Sequence, residues 1–149
     1  MKDYFKKYFE YNRDVNIKFI LFLEEIQLEE NFPVTEMSHL LAAHRVWLSR
    51  VESEKIMINI WESVPVAEMK RVNEACFNKT INILENHELQ LQVNYTNSKG
   101  EQFSNELSDV FYHLLNHSNY HRARVANYLR TIGFTPPNSD YIFYVRENN

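Results

Sequence analysis

Residues 113–133, HLLNHSNYHRARVANYLRTIG, give the clearest indication of the fold. This stretch contains no Pro and its only Gly is the last residue, so no helix breaker interrupts it before Gly133. Apolar residues recur at intervals of three or four, which is the spacing of one helix face. Ser104 or Asn105 is a suitable N-terminal cap upstream. The pattern therefore predicts a long helix that runs from this cap to about Ile132.

Three more long helices are predicted upstream of this one. The first covers about Asp3 to Glu30, because its apolar residues follow the same spacing. Thr35 is the predicted N-terminal cap of the second helix, which covers roughly residues 35–54. The apolar residues of this helix occupy more than one face, which predicts contacts on several sides. The third covers about Val66 to Asn86. The 149 residues include only two Gly and four Pro, none inside a predicted helix, which favours an all-α class over a β-sandwich or barrel.

Several residues inside the predicted helices are assigned to the core or to its edge. Asn12 and Asn16 interrupt the apolar face of the first helix, so we expect them at its edge or in hydrogen bonds to a neighbouring helix. Trp47 is expected in the core rather than as a surface for substrate. Cys76 is expected to be a small buried hydrophobic residue.

A short hairpin is predicted before the last helix. Apolar and polar residues alternate from Leu89 to Tyr95, which is strand spacing. Residues 96–100 predict a turn and residues 101–103 a short return strand. The tail from Asp140 to Tyr144 is rich in aromatic residues, so we expect it to pack back on the helices. The chain is therefore predicted to be a single domain, 1–149, built as a four-helix bundle with a small β-hairpin.

Composition and charge exclude several classes of function. The net charge is −4, with 16 basic and 20 acidic residues, so the basic excess of a nucleic-acid-binding protein is missing. No stretch approaches the roughly 20 apolar residues that cross a bilayer. Cys76 is the only cysteine, so an internal disulfide is excluded. We expect a protein of the reducing cytoplasm that binds neither nucleic acid nor membrane.

Histidines carry the most specific chemical signal in the sequence. His113, His117 and His121 are spaced i, i+4, i+8 on the last helix, and residues four apart share one face. His117 and His121 are in line with the apolar residues of that helix, so this pair points inward and needs partners or an ion. Two ligands are too few for tight binding, so a third must come from another helix. His39 and His44, both on the second helix, are the candidates.

Hydrophobic periodicity does not choose cleanly between these two candidates. His44 projects near the middle of the apolar face of the second helix, and His39 lies toward its edge, so the pattern leans toward His44. The spacing also has a simpler interpretation, because inward histidines are more often hydrogen-bonded core residues than metal ligands.

Five stretches of the sequence match one family pattern in their order and spacing. They are Ser38-His-Leu-Leu-Ala-Ala-His-Arg-Val-Trp-Leu-Ser-Arg50, Asn97-Ser-Lys-Gly100, His113-Leu-Leu-Asn-His-Ser-Asn-Tyr-His-Arg122, Leu129-Arg-Thr-Ile-Gly133 and Pro136-Pro-Asn-Ser-Asp-Tyr-Ile142. Together they extend over nearly the whole chain, which resembles the DinB/YfiT-like superfamily. The resemblance implies an up-down-down-up four-helix bundle.

The resemblance also implies a metal ion held by three histidines, one from the second helix and two from the last. Matched by motif, these are His39, His117 and His121, with His44 kept as the reserve ligand. One divalent ion is implied, Zn or Ni, with Fe or Mn as alternatives. Many members have His-Arg-Gly-Gln where this chain has His121-Arg-Ala-Arg124, so the ligand and its Arg are kept and the Gln is not.

The function that the resemblance implies is metal-dependent chemistry on a small-molecule substrate. Some members are S-transferases that use a low-molecular-weight thiol, and others are hydrolase-like. The alternative is a non-catalytic stress-response or ligand-binding protein with a structural metal. His44, His113 and Arg122 are expected to support the site without binding the ion, and Arg122 would bind an anionic substrate or pair with Asp140 or an acid of the second helix. A homodimer is also implied.

Overall fold

Four long helices, a two-stranded hairpin and a short C-terminal helix make up the fold. The structure is a computed structural model, and it describes residues 1–28 and 31–148. In chain order, the elements are α1 (Lys2–Glu25), α2 (Phe32–Val51), α3 (Val66–Asn86), β1 (Gln92–Thr96), β2 (Gln102–Glu106), α4 (Leu107–Thr131) and α5 (Tyr141–Glu147). The predicted bundle with a hairpin before the last long helix is confirmed.

The ends of the helices differ from the predicted ones for local reasons. The first helix ends at Glu25, because Gln27 takes a positive φ of 51° that no helix continues through. Its predicted end at Glu30 lies outside the described residues. The second helix begins at Phe32 and contains Pro33 in its first turn, where the missing amide hydrogen costs nothing. It ends at Val51, and Ser53 again has a positive φ, of 54°.

The hairpin lies about three residues further along the chain than predicted, because β1 begins at Gln92 rather than Leu89 and β2 ends at Glu106 rather than Phe103. Its two antiparallel strands pair Gln92 with Glu106 and Thr96 with Gln102. Ser104 and Asn105, predicted as caps of the last helix, are therefore strand residues. The pairing continues past the strands, because the amide nitrogens of residues 107 and 108 bond to the carbonyl oxygens of residues 91 and 89, at 2.8 and 3.0 Å. These bonds fix the start of α4 against the turn that precedes β1.

Side-chain contacts along the helices establish their directions. Helices α1 and α3 are antiparallel, because residue numbers rise in one and fall in the other along their contacts, Arg13–Phe77 and Asn16–Asn73. Helices α2 and α4 are antiparallel for the same reason, as the contacts Phe32–Tyr128 and Trp47–His113 show. Helices α1 and α4 are parallel, because residue numbers rise together along their contacts, Phe5–Phe111 and Asn16–Arg122. Helices α2 and α3 are parallel as well, as the contacts Leu41–Cys76 and His44–Thr80 show. The bundle is therefore up-down-down-up.

The core lies between the four long helices and the inner face of β1. It contains fully buried side chains such as Phe19, Leu41, Ile83, Val93 and Leu129. Burial of each such side chain stabilises the fold by about 1.5–3 kcal/mol relative to exposure. The large apolar area shared by α2 and its neighbours explains why apolar residues occupy several faces of that helix.

The aromatic tail packs back on the bundle, as the sequence predicts. Tyr141 and Tyr144 lie against the ring of Tyr11, with centroid distances of 5.1 and 5.3 Å. The Tyr144 hydroxyl donates a hydrogen bond to Oδ2 of Asp14 at 2.8 Å. The tail therefore covers α1 on the outside of the bundle.

Within residues 1–28 and 31–148, none of the helices combines the length and the apolar character that a membrane span requires.

Candidate metal centre

Three histidines from two helices meet on the α2–α4 side of the bundle. His39 comes from α2, and His117 and His121 come from successive turns of α4. One ring nitrogen of each residue lies within 4.8 Å of the corresponding nitrogens of the other two. His39 and His121 are buried, whereas His117 is half-buried. The antiparallel packing of α2 on α4 thus gathers the histidines that the motifs single out. We call these three residues the histidine cluster.

Hydrogen bonds on the outer side of the cluster determine which nitrogen of each ring faces inward. Nδ1 of His39 lies 2.9 Å from the carbonyl oxygen of Ile60, and Nδ1 of His121 lies 2.6 Å from Oε2 of Glu36. A carbonyl and a carboxylate oxygen accept hydrogen bonds, so each Nδ1 carries the proton. In the neutral form of each ring, Nε2 then presents a lone pair. This is the arrangement of metal-binding imidazoles in proteins.

The spacing and protonation of the cluster fit a divalent metal ion. Nε2 of His117 lies 3.1 Å from Nε2 of His121. Two nitrogens bound to one ion at about 2.0–2.1 Å, at tetrahedral or octahedral angles, lie about 3.0–3.4 Å apart. Burial, together with the neighbouring His121 and His39, lowers the pKa of His117 to about 3. The ring is therefore neutral at physiological pH, as a ligand must be.

Glu36 belongs to the site, although the sequence analysis did not single it out. Its side chain is 3% exposed, and Oε2 contacts both His121 and, at 3.3 Å, Nη1 of Arg124. Burial lowers the pKa of His121, and the bond to Glu36 opposes that effect. Glu36 precedes His39 by three residues, which places both on one face of α2. That spacing was the signal available in the sequence.

The connection between α2 and α3 covers one side of the cluster. Trp61 stacks on His39 with a centroid distance of 3.7 Å and an angle of 12° between the rings. The amide of Val64 donates a hydrogen bond to Oγ of Ser38 at 2.8 Å, which attaches the connection to the residue before His39. The tryptophan is 52% exposed. No periodic pattern runs through this segment, so its position could not be predicted from the sequence.

His44, the reserve ligand, lies away from the cluster and faces α3. Its Nε2 donates a hydrogen bond to Oγ1 of Thr80 at 2.9 Å, because the Thr80 hydroxyl itself donates to the carbonyl of Cys76 at 2.8 Å. Burial lowers the pKa of His44 to about 4. Its role is a hydrogen bond between α2 and α3. Cys76 is buried as expected, and burial raises the pKa of its thiol to about 12.

His113 lies one turn before His117 and is exposed on its outer side. Its ring centroid is 5.5 Å from that of His117 and 5.2 Å from that of Trp47. Partial burial and the charge of Arg50 lower its pKa. It is a neighbour of the cluster rather than a member of it.

Arg122 points away from the cluster into the bundle and is buried. Its Nη1 donates hydrogen bonds to Oδ1 of Asn12 and Oδ1 of Asn16, both at 2.6 Å, and its Nη2 donates to Oδ1 of Asn119. The expected hydrogen bonds of Asn12 and Asn16 to a neighbouring helix are therefore present. The expected partners of Arg122, Asp140 or an acid of α2, are replaced by these amides. Burial lowers its pKa to about 10, which leaves it charged at neutral pH.

Comparisons with known proteins show which family the chain belongs to. No curated protein matches it. A model of the DinB family matches residues 1–148. This match covers all four long helices, the hairpin and the histidine cluster. The chain belongs to the DinB family.

Proposed function

We propose that this protein is a metal-dependent enzyme that acts on small molecules, either as a thiol-dependent S-transferase or as a hydrolase. His39, His117 and His121 would hold one divalent ion, Zn or Ni, with Fe or Mn as alternatives. The observation that carries the proposal is the pair of outer hydrogen bonds, from Nδ1 of His39 and of His121, which leave both Nε2 atoms as inward acceptors. A cytoplasmic location and a homodimer stay predictions.

An ion bound by three neutral imidazoles keeps its full charge of two and at least one open coordination position. Such an ion is a Lewis acid that lowers the pKa of a bound water or thiol toward neutrality. A closed structural site in proteins usually has four protein ligands. Among the residues that the structure describes, the cluster contains three. This count supports the catalytic proposal over the alternative of a structural metal.

The surrounding residues have distinct tasks in this proposal. Glu36 accepts a hydrogen bond from Nδ1 of His121, which fixes the ring orientation and the tautomer whose Nε2 faces inward. The carbonyl of Ile60 does the same for His39. Trp61 covers the face of His39 and keeps water from that side. Since His117 is the half-buried member, the substrate would approach from its side of the cluster.

Elemental analysis of protein purified without a histidine tag tests the proposal. We expect about one divalent ion per chain in the wild type, and almost none in His117→Ala or His39→Ala. The control is His87→Ala, because His87 lies at the end of α3 beside Glu52 and outside the cluster. A screen for thiol-dependent turnover of small electrophiles then follows on the loaded protein. Unchanged metal content in His117→Ala, or a wild type that takes up none of the four metals, would contradict the proposal.

A further inference from the structure

A cleft lies beside the histidine cluster, between α2, α4 and the hairpin. It measures about 350 Å³ and is lined by Trp47, Tyr95, Asn105, Asp109, Val110 and His113. This volume falls within the range of small-molecule sites in proteins, about 300–1,000 Å³. His113 joins the cleft to the cluster, because its ring centroid is 5.5 Å from that of His117. His113 precedes His117 by one turn of α4, a rise of about 6 Å, so the cleft and the cluster are neighbours along this helix.

The two aromatic walls of the cleft are held in place. Trp47, which was expected in the core, is half-buried and lines the cleft. Its ring and that of Tyr95 meet edge to face at a centroid distance of 4.8 Å. The guanidinium of Arg50 lies 4.4 Å from the first ring centroid and 4.6 Å from the second. The Tyr95 hydroxyl donates a hydrogen bond to Oδ1 of Asn105 at 2.9 Å. The walls are therefore in position before any ligand arrives, which reduces the entropy lost on binding.

The charges around the cleft limit what it can bind. Arg50 packs on both aromatic walls, so a cationic ligand group would face a like charge. Asp109, an exposed residue, also lines the cleft, so an anionic group near it would face a like charge. An uncharged ring meets neither repulsion. Arg50 already contacts both aromatic rings and Phe103 stacks on Tyr95, so the ligand ring packs edge to face against these walls.

We propose that this cleft holds an uncharged planar ring of the substrate while the reacting group lies at the histidine cluster. The inference rests on the proposed function, since it assumes that a reacting group binds at the cluster. It adds the substrate class: small molecules in which a short linker joins a neutral aromatic ring to the reacting group.

Thiol binding to the Co²⁺-loaded protein tests the inference. The probes are 2-phenylethanethiol and 2-cyclohexylethanethiol, which have the same carbon number but a planar and a non-planar ring. Titration of the sulfur-to-cobalt absorption band gives each Kd. We expect the phenyl compound to bind about tenfold more tightly, although the cyclohexyl compound is the more apolar.

Variants assign that preference to the cleft. Tyr95→Leu should bring the two Kd values within about twofold of each other, whereas Tyr112→Leu, which removes an exposed tyrosine of α4 outside the cleft, should leave the preference unchanged. Equal binding of both thiols to the wild type would overturn the inference. Persistence of the preference in Tyr95→Leu would overturn it as well.

A metal-free measurement separates this inference from the proposed function. Failure to take up Co²⁺ would contradict the proposed function, and the cleft can still be examined with benzamide as a neutral planar probe. In Trp61→Phe, Trp47 is the remaining tryptophan and reports on the cleft. We expect saturable quenching of its fluorescence by benzamide and loss of that quenching when Tyr95→Leu is added. Quenching that does not saturate would overturn the inference.

Discussion

Oε2 of Glu36 lies 2.6 Å from Nδ1 of His121, and both side chains are buried. Glu36 belongs to α2, and so does His39, three residues later. One face of α2 therefore provides a member of the histidine cluster and the acid that orients a second member on α4. The cluster forms only when these two helices pack together, so its geometry depends on the α2–α4 contact rather than on a local motif.

Replacing Glu36 should weaken metal binding. Glu36→Gln still offers an oxygen to Nδ1 of His121 but without the charge, so we expect about a tenfold loss of Zn²⁺ affinity, and up to about a hundredfold for Glu36→Ala. Competition with a chromophoric chelator measures the Kd. The control is Glu85→Gln, an exposed residue of α3. Wild-type affinity in Glu36→Ala would show that the acid does not support the site.

Trp61 should stabilise the position of His39 through its stacked ring. Removing the ring in Trp61→Ala should lower metal affinity about three- to tenfold, since an aromatic stacking contact contributes about 0.5–1.5 kcal/mol. Trp61→Phe should retain most of the affinity because it keeps an aromatic face. The same chelator competition measures both. If the alanine and phenylalanine variants bind equally, the stacked ring has no part in positioning His39.

Fluorescence provides an independent check on the same contact. The chain has two tryptophans, so Trp47→Phe leaves Trp61 as the reporter. Ni²⁺ bound at His39 should strongly quench the emission of Trp61, because the Trp61 and His39 rings are stacked with a centroid distance of 3.7 Å. Addition of EDTA should restore the emission. Emission that is unaffected by saturating Ni²⁺ would mean that the ion binds elsewhere.

His44 should make the metal-free fold less stable in acid. Its pKa is about 4 in the folded state, and about 6.5 in an unfolded chain. Below about pH 6.5 the unfolded state binds a proton that the folded state does not, so the free energy of unfolding falls as the pH drops toward 4. His44→Gln keeps a donor for Thr80 but does not titrate. Between pH 7.5 and pH 5 its stability relative to the wild type should therefore rise by about 2 kcal/mol.

Urea unfolding in EDTA at both pH values measures this difference. EDTA removes any metal, so that protonation of the cluster does not affect the comparison through metal release. The other buried histidines are present in both proteins, and their contribution cancels in the difference. The same stability difference at pH 7.5 and pH 5 would mean that His44 does not resist protonation in the fold.

Much of the fold could be predicted because it depends on local patterns. Apolar residues at helical spacing and the absence of Gly and Pro inside the long helices define four segments, and alternation from Leu89 to Tyr95 indicates the hairpin. The predicted ends of the helices were less accurate, because a helix end depends on the backbone conformation of single residues, such as the positive φ of Gln27 and Ser53. Hydrogen bonds made by residues 107 and 108 likewise set the start of α4.

The site could be predicted only in part. The i, i+4 spacing identified His117 and His121. Periodicity did not choose cleanly between His39 and His44, because α2 is covered on several sides, and its lean toward His44 was wrong. The motif resemblance favoured His39, which is the residue that lies in the cluster. Ile60 and Trp61 come from an irregular connection whose path is fixed by tertiary contacts such as the Val64–Ser38 hydrogen bond. Such contacts between residues far apart in the chain produce no recognisable pattern in the sequence.

Arg122 should act on stability rather than on substrate binding. Its guanidinium is 1% exposed and bonds to amide oxygens from α1 and α4, so no substrate can reach it in the folded protein. Arg122→Met leaves Asn12 and Asn16 without that donor, and we expect a loss of about 3 kcal/mol in the free energy of unfolding. Arg122→Lys should also destabilise, because one ammonium cannot reproduce the planar fork. Arg146→Met, at an exposed site in α5, should change stability by less than about 0.5 kcal/mol.

Two measurements distinguish this structural role from a role in binding anionic substrates. Urea unfolding of the metal-free proteins gives the stability, and chelator competition gives the Zn²⁺ affinity of each variant that remains folded. Because Arg122 faces away from the cluster, Zn²⁺ affinity in the folded variants should stay within about threefold of the wild type. A variant as stable as the wild type but impaired with anionic substrates would reverse the assignment, since that result requires the guanidinium to reach the substrate.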